Sequence, residues 1–582
     1  MNRSLIWKTP FAVATWLGMA ALACAADLTL TLGSSGSALK PLLSINAGPT
    51  PPTNSGALDQ TAIYQRLGVK MVRTHDFNGP FDMVYMYPDR SLDPTQQSAF
   101  NFTSPAGKSP LSSDDVYKAI TAGGFGVYLR IGDSAGDAKT PSDSERANWA
   151  KAAVQVLKHY AKGQWSGFNG DIQYVEIGNE PDSSGFWTGT ATQFYQLYVE
   201  TAKALRAEFP TLKIGGPGIT QGGYSTTLGK QWVSNFLDYV KSNGAPLDFF
   251  SWHIYSNSAD DFATAAAYYR TTLDGKGYTA TESHLTEWNS GGSTTNTTTN
   301  SDYRAKAKGA AVITAGWIGL QEQGVNQAFF YRGADIGTPD PQLYGLIFPD
   351  GTPKKSALAY SLWNEVLGYA TRYPLTFSET LVATGVKALA AQRSDGALAI
   401  LVANTGTSSV KWTLAFPDSR KLASYPLTLK TLDDSDTLLK VNTPSATEFD
   451  LAAGTAQLLL VHAGSDSFAA TPVAFGKLAN HYLALDLQAA AADVGQTRKV
   501  YLAAQLGKNW YLHNGTTWQT WSGGSLPAYS SGALPAVLHI PMLSKTDISA
   551  ATGGVVYVGY GQSDSEMASA GRYKAVYTVP AQ

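Results

Sequence analysis

From residue 42 onward, short apolar runs alternate with longer stretches in which apolar residues recur every three or four positions. The short runs are LLSINAG from Leu42, VKMVRTHD from Val69, GVYLRIGD from Gly126, IQYVEIGNE from Ile172, LKIGGPG from Leu212, LDFFSWHIYS from Leu247, SHLTEWNS from Ser283 and NQAFFYRGAD from Asn326. Between them lie helical patterns such as RANWAKAAVQVLKHYAK from Arg146, TQFYQLYVETAKALRAEF from Thr192, QWVSNFLDYVKSNG from Gln231 and YRAKAKGAAVITAGWIGLQEQG from Tyr303. Near-continuous apolar strands alternating with helices predict a parallel sheet covered on its faces. Eight strand–helix units over about 320 residues have the size of a (β/α)8, or TIM, barrel, closing near Gly368. Residues 371–464 change to short alternating strands, among them ALAILVANTG, VKWTLAFP and TAQLLLVHAG, which predict a β-sandwich. The early run DLTLTLGSS is a candidate extra strand for it. A Gly, Ser and Asp rich junction at 464–467 then leads to a further β-rich region ending in VYVGYG and RYKAVYTV. The expected organisation is a leader over 1–26, an α/β barrel over 27–368, a sandwich over 369–464 and a β-rich C-terminal module over 465–582.

This architecture decides where chemistry can sit. Side chains from different strands of such a barrel converge at the strands' C-terminal ends. The second run ends in Arg73, Thr74, His75 and Asp76, the fourth in Asn179 and Glu180, the sixth in Trp252, His253 and Tyr255, and the seventh in Glu287, Trp288 and Asn289. Two glutamates on strands four and seven thus face each other across one mouth. Paired carboxylates, one protonated and one ionised, are the equipment for splitting a glycosidic bond. Glu176 lies four residues before Glu180, on the same strand face but deeper, and reads as a supporting residue of the barrel interior.

Composition narrows the partners. Forty-three basic against 45 acidic residues give a formal charge of −2, which offers no footprint for nucleic acid or an anionic membrane. Aromatics make up 11% of the chain, with 14 Trp and 30 Tyr, enough to stack on sugar faces or to fill large β-rich cores. Arg3 and Lys8, the apolar stretch Phe11 to Ala23 and the small residues up to Ala26 have the layout of an export signal, so a periplasmic or secreted protein is expected. No later segment reaches the roughly 20 apolar residues of a spanning helix. Cys24 is the only cysteine, which excludes disulfides and a zinc–cysteine cluster, and lipid anchoring through it is the lesser alternative. No metal or cofactor is called for.

The pairing of NEPD at Glu180 with TEWNS at Glu287, together with RTH on the second run and HIY on the sixth, resembles the large superfamily of retaining (β/α)8 glycosidases. Phe186 and Trp187 followed by FYQLY, and YGLIFPDGTPKKSALAYSLW from Tyr344, are similar to glycoside hydrolase family 39, over roughly residues 40 to 370. That family includes β-xylosidases, α-L-iduronidases and hydrolases of biofilm exopolysaccharide. The resemblance implies Glu180 as general acid/base, Glu287 as nucleophile and Asn179 on the sugar 2-hydroxyl. It implies Tyr255 and Arg73 beside Glu287, His75 on substrate and His253 orienting Glu180. If the mechanism is retaining, the carboxyl groups should lie about 5 to 5.5 Å apart. Trp187 and Trp288 are expected pocket walls, and Tyr331 lies where the family often carries Trp. The sequence departs from the family at Gly178, where β-xylosidases carry Trp, and at Tyr331 with Arg332. Arg332 and Lys354 could meet a uronic acid or be solvated.

An endo-acting exopolysaccharide hydrolase, an exo-acting β-xylosidase-like enzyme, a transglycosylase and a non-catalytic polysaccharide-binding matrix protein all fit these residues. The choice between endo and exo action depends on the loops 77–112 and 290–302. Oligomeric state is not legible. In the C-terminal module, WYLHNGTTWQTW gathers Trp510, Tyr511, Trp518 and Trp521, either as a sugar-stacking face or as the core of a small β-domain.

Overall fold

The computed structural model describes residues 27–580 apart from 35, 51–57, 59, 137, 293–296 and 379–384, so the expected leader and Cys24 lie outside the described residues. Eight parallel strands close into a barrel: Ser44–Asn46, Met71–Arg73, Gly126–Ile131, Tyr174–Ile177, Lys213–Ile219, Phe249–Ser256, Glu282–Ser290 and Gln327–Phe330. Each coincides with one of the eight predicted runs, the fifth and seventh extending one residue beyond theirs. The last strand pairs with the first through Phe330↔Ile45, which shuts the ring. Its lower interior is plugged by Tyr128, Tyr174, Phe249 and Phe329, with the buried His284 ring stacked on Phe249 among them.

The helices follow from their stripes. Arg146–Lys162 buries Trp149, Ala153, Val156, Leu157 and Tyr160 and stops at Gly163, whose φ of 66° is the left-handed turn that ends a helix. Ala191–Glu208 starts from a reciprocal cap in which the Thr190 side chain accepts from Gln193 N–H and the Gln193 side chain accepts from Thr190 N–H. The long helix expected from Tyr303 is two, Thr297–Arg304 and Ala307–Glu322, separated at Lys306, which is extended. Gly309 permits the break: a Cβ there would stand 1.6 Å from the Tyr303 carbonyl oxygen.

Beside the barrel stands a two-sheet sandwich. One sheet runs in the order Leu375–Phe377, Asp27–Leu32, Val410–Ala415, Glu448–Leu451, and the other carries Leu398–Asn404 and Thr455–Val461 at its centre. Those two central strands are buried at every position because one face meets the sandwich core and the other the barrel, chiefly the Ala307–Glu322 helix. The expected barrel boundary at residue 27 is corrected here. Asp27–Leu32 pairs in parallel with Val410–Ala415 of the sandwich, and Ser37–Ala38 pairs with Thr371–Tyr373, so the barrel proper begins at Ser44.

A further β-rich unit follows, with a three-stranded sheet (Ala469–Phe475, His481–Gln488, Val537–Thr546) packed on a six-stranded one centred on Thr497–Leu506 and Val555–Gly561. No described helix is long and apolar enough to cross a membrane.

Candidate active site

The fourth barrel strand delivers its side chains through an unusual backbone. Gly178 has φ of 97°, and a Cβ there would stand 2.7 Å from the Phe194 ring, so the glycine that departs from the β-xylosidase pattern is demanded by the local turn. Glu180, two residues on, is itself at φ of 44°, a conformation costly for a side-chain-bearing residue. It is pinned by its N–H donating to the Gly218 carbonyl at 2.8 Å.

The seventh strand uses a bulge. Trp252 stands opposite Leu285, but His253 stands opposite Glu287, so Thr286 is an extra residue on that strand. Bulges re-aim side chains beside active sites, and here Thr286 Oγ1 meets His253 Nε2 at 3.1 Å while the next residue, Glu287, also faces the mouth.

Arg73 joins these strands from below. Its Nε donates to Glu176 at 2.6 Å, Nη1 to Asn46 at 3.0 Å and to Glu287 Oε1 at 2.9 Å, and Nη2 to Asn179 Oδ1 at 2.6 Å. Arg73 and Glu176 are fully buried, which fits the deep supporting place expected for Glu176. Because guanidinium only donates, the amide of Asn179 is fixed with Oδ1 toward Arg73, and its buried Nδ2 has no hydrogen-bond partner among the described residues.

Glu287 is surrounded by donors. His75 Nε2 lies 3.1 Å from Oε1, and the Tyr255 hydroxyl donates to Oε2 at 2.7 Å. Burial pushes this carboxyl up, but His253, His75 and Arg73 together hold it well below the usual carboxylate range. Burial likewise lowers the His253 imidazole, and the Glu287 and Glu180 carboxylates outweigh it and raise that group. Tyr255 stays a phenol, since burial and then the Glu287 charge drive its titration upward. Glu180 is dressed differently: the contact to it is His253 Nδ1 at 2.9 Å, and 18% of its side chain meets solvent. One oxygen of Glu180, one of Glu287 and a His253 nitrogen all lie within 4.8 Å of one another. Such a trio has the size of a metal site, but both Glu287 oxygens already accept from Arg73, His75 and Tyr255.

The mouth therefore brings together Arg73, His75, Asn179, Glu180, His253, Tyr255 and Glu287. Tyr331 lies at its rim, donating to Asp76, with its ring 6.1 Å from Tyr255. Trp187 lines a narrow crevice with Asn179 and Phe186. Trp288 is not a pocket wall. It points outward from the barrel and stacks on Trp363 at 6.0 Å, edge-on to Phe262 and Phe330. Lys354 is neither solvated nor free to meet a uronic acid, because it is buried against Asp335 at 2.5 Å. Arg332 donates to the Asp76 carbonyl at 3.3 Å.

Two contributors, Asn46 and Tyr344, escaped the sequence reading, and Asp76, placed at the end of the second run, has a partner that the reading did not foresee. Asn46 holds Arg73, Asp76 anchors Tyr331, and Tyr344 packs 5.7 Å from Tyr255 with Arg304 over its ring at 3.8 Å. Asn46 ends the first barrel strand, two residues before the end of the run predicted from Leu42, and its place near a strand end was the available signal.

The site is thus a closed eight-stranded barrel with carboxylates at the ends of its fourth and seventh strands. Residues 135–282 match the family model "Glycosyl hydrolases family 39", a stretch that contains Glu180 and ends before Glu287. The chain is 26% identical over 216 residues to a β-xylosidase of Geobacillus stearothermophilus, 36% of this chain and 40% of that protein's length. It is 28% identical over 99 residues to a funoran endo-β-hydrolase of Wenyingzhuangia aestuarii, 16% of this chain and 14% of that protein. Among solved structures, a glucosidase from Croceicoccus marinus shares the fold with TM-score 0.60 at 22% identity, over 75% of this chain and 99% of that one. A β-xylosidase from Caulobacter crescentus does so with TM-score 0.54 at 17% identity, over 74% and 99%. The chain is thus similar in sequence to family 39 glycosidases over part of its length, and it shares the fold of the solved structures.

Proposed function

We propose that the protein is a retaining glycoside hydrolase that cuts within a polysaccharide outside the cytoplasm, an exopolysaccharide being the substrate class. The observation that carries this reading is the pair of unequally dressed carboxylates, Glu287 held ionised by cations and Glu180 partly open, with oxygens within 4.8 Å. Inverting pairs need about 6.5–9.5 Å to admit a water.

In the first step a Glu287 oxygen attacks the anomeric carbon as the glycosidic bond breaks and the leaving oxygen takes a proton from Glu180. In the second, Glu180 removes a proton from water, whose oxygen displaces Glu287 from the sugar. Asn179 Nδ2, left free by the Arg73 contact, is placed to donate to the sugar 2-hydroxyl. Trp187 and Phe186 on one side and Tyr255, Tyr331 and Tyr344 on the other supply aromatic walls. The loop 77–112 is held to the third-strand side by Asp82 against Arg130 at 2.6 Å and by Val84 N–H on Asp133 at 2.8 Å.

Similarity to the endo-β-hydrolase supports internal cutting, and similarity to the β-xylosidase supports an exo-acting second reading. The leader-like N-terminus supports export. Product-size analysis of the wild type and Glu287→Gln on xylan and a panel of bacterial exopolysaccharides tests the proposal. Oligosaccharides from the wild type alone support the endo reading, and monosaccharide alone the exo reading. Transfer products longer than the substrate would point to transglycosylation. Binding without cleavage would move the protein to the non-catalytic class.

A further inference from the structure

Strand register separates the rings of WYLHNGTTWQTW. Trp510 stands opposite Trp521 and Leu512 opposite Gln519, whereas Tyr511 meets Thr520 and His513 meets Trp518. Opposite partners share a face and successive side chains alternate. Trp510, Leu512 and Trp521 therefore project to one side of the sheet, and Tyr511 and Trp518 to the other. The first side continues through Ala503 to Tyr557, and through Tyr501 and Gly559 to Tyr573. The opposite side of the central strands, with Leu502, Val556, Val558 and Tyr560, is the domain core. The ring row is thus the outer face of the sheet.

On that face Trp510 and Tyr557 meet at 5.2 Å and 44°, forming a bent platform over a floor of Tyr501 and Leu512. With Leu526 and Tyr573, which is 51% exposed, they enclose an apolar groove of about 230 Å³.

We propose that this groove is a binding site for a neutral sugar chain, separate from the barrel mouth. A sugar ring is a disc with apolar C–H faces and a rim of hydroxyls. The groove offers aromatic faces for the former, and the amides of Gln505 and Gln519 lie on the same outer side for the latter. No Lys, Arg, Asp or Glu lines it, so a polyanion or a charged peptide finds no counterpart. A second copy of the chain is a poorer occupant. Stable dimers cover roughly 800 Å² per partner, more than these partly covered rings can supply at about 150–250 Å² each when bare. The site rests on the carbohydrate reading of the barrel only for the choice of probe.

The test uses the full chain carrying Glu287→Gln, so that polymer stays intact, on native gels containing soluble xylan, mixed-linkage β-glucan or dextran. The parent is expected to be retarded in at least one gel. Adding Tyr573→Ala or Trp510→Ala should weaken that retention roughly tenfold, the scale of losing an aromatic anchor, with unfolding midpoints unchanged for the exposed Tyr573. Tyr573→Ala in the otherwise wild-type chain should turn over 4-nitrophenyl β-xyloside as the wild type does. Equal retention by all variants, no retention in any gel, or a sedimenting dimer that Tyr573→Ala dissolves would each overturn the site. Aromatic-dependent retention by a chain that cleaves nothing would support it while removing the hydrolase reading.

Discussion

Two of the charge clusters in this molecule are built on opposite plans. Where sandwich, barrel and C-terminal unit meet, Lys430 of the strand Leu427–Leu432 reaches Glu365 of the helix Lys355–Leu367 at 2.9 Å and Asp486 at 2.7 Å. The second oxygen of Asp486 takes His539 Nδ1 at 2.7 Å. Burial alone would lower the ammonium, but Asp486 and Glu365 lift it well above the ordinary lysine range. No buried polar atom of that network is left without a partner among the described residues. At the barrel mouth, Arg73 also satisfies several carbonyl and carboxylate groups, yet Asn179 Nδ2 and His75 Nδ1 are buried without hydrogen-bond partners among the described residues. Buried polar atoms normally find partners, so a network that stops short at a pocket is one completed by a ligand. The Lys430 cluster is complete as it stands, and the cluster at the mouth is not.

The comparison can be broken most forcefully at the carboxylates. Glu287→Gln should lower kcat by roughly 10⁴-fold or more, the scale of removing a nucleophile, with the far-ultraviolet spectrum unchanged. Glu180→Gln should cost about 10²–10⁴-fold, the range of general acid–base assistance, and less with a substrate whose leaving group needs no proton. Undiminished turnover in either would make the mouth as structural as the Lys430 cluster. Next, Tyr255→Phe removes one charge-assisted hydrogen bond from Glu287, worth about 1.5–3 kcal/mol, and should slow turnover roughly 10- to 100-fold while leaving binding of uncleaved oligosaccharide nearly intact. Lys430→Met should do the converse. It takes the shared cation from Glu365 and Asp486 and should lower stability in urea by roughly 3 kcal/mol, with kcat unaffected at temperatures where the protein stays folded.

The smallest effect is in pH. Glu287 is held below its usual value, so its share of stability is present above the unfolded value of about 4.3 and is lost as pH falls through the folded one. His253 is raised, so its share is complete below about 6.5 and is lost as pH rises through its folded value. Urea midpoints measured across pH should therefore sag at both ends, and Glu287→Gln should flatten the acid side and weaken the alkaline loss by removing a carboxylate that raises His253.

Much of the barrel was legible because its strands are covered on both faces and read as unbroken apolar runs, and because side chains at strand ends are restricted to one pocket. The two glutamates followed from position. Trp288 was misread by residue type: one place beyond Glu287, strand alternation sends it outward against Trp363. The bulge at Thr286 could not be seen, since an extra residue shifts the phase without changing the composition. Lys354 was misread because its burial depends on Asp335, a partner from a neighbouring loop. Asp27–Leu32 joins the sandwich as its sequence suggested, pairing with Val410–Ala415, but the barrel boundary was set too early, at residue 27 instead of Ser44. In the C-terminal unit the periodicity of two was present all along, and only the register showed which face held the core.

The account turns on Glu287 attacking sugar carbon directly. The most direct measurement is proton NMR of the first product formed from whichever polysaccharide the product-size assay finds cleaved, taken before the anomers equilibrate. Retention of the substrate's anomeric configuration is predicted. An initial product of inverted configuration would contradict the account, because it would require water, not Glu287, to strike the anomeric carbon first.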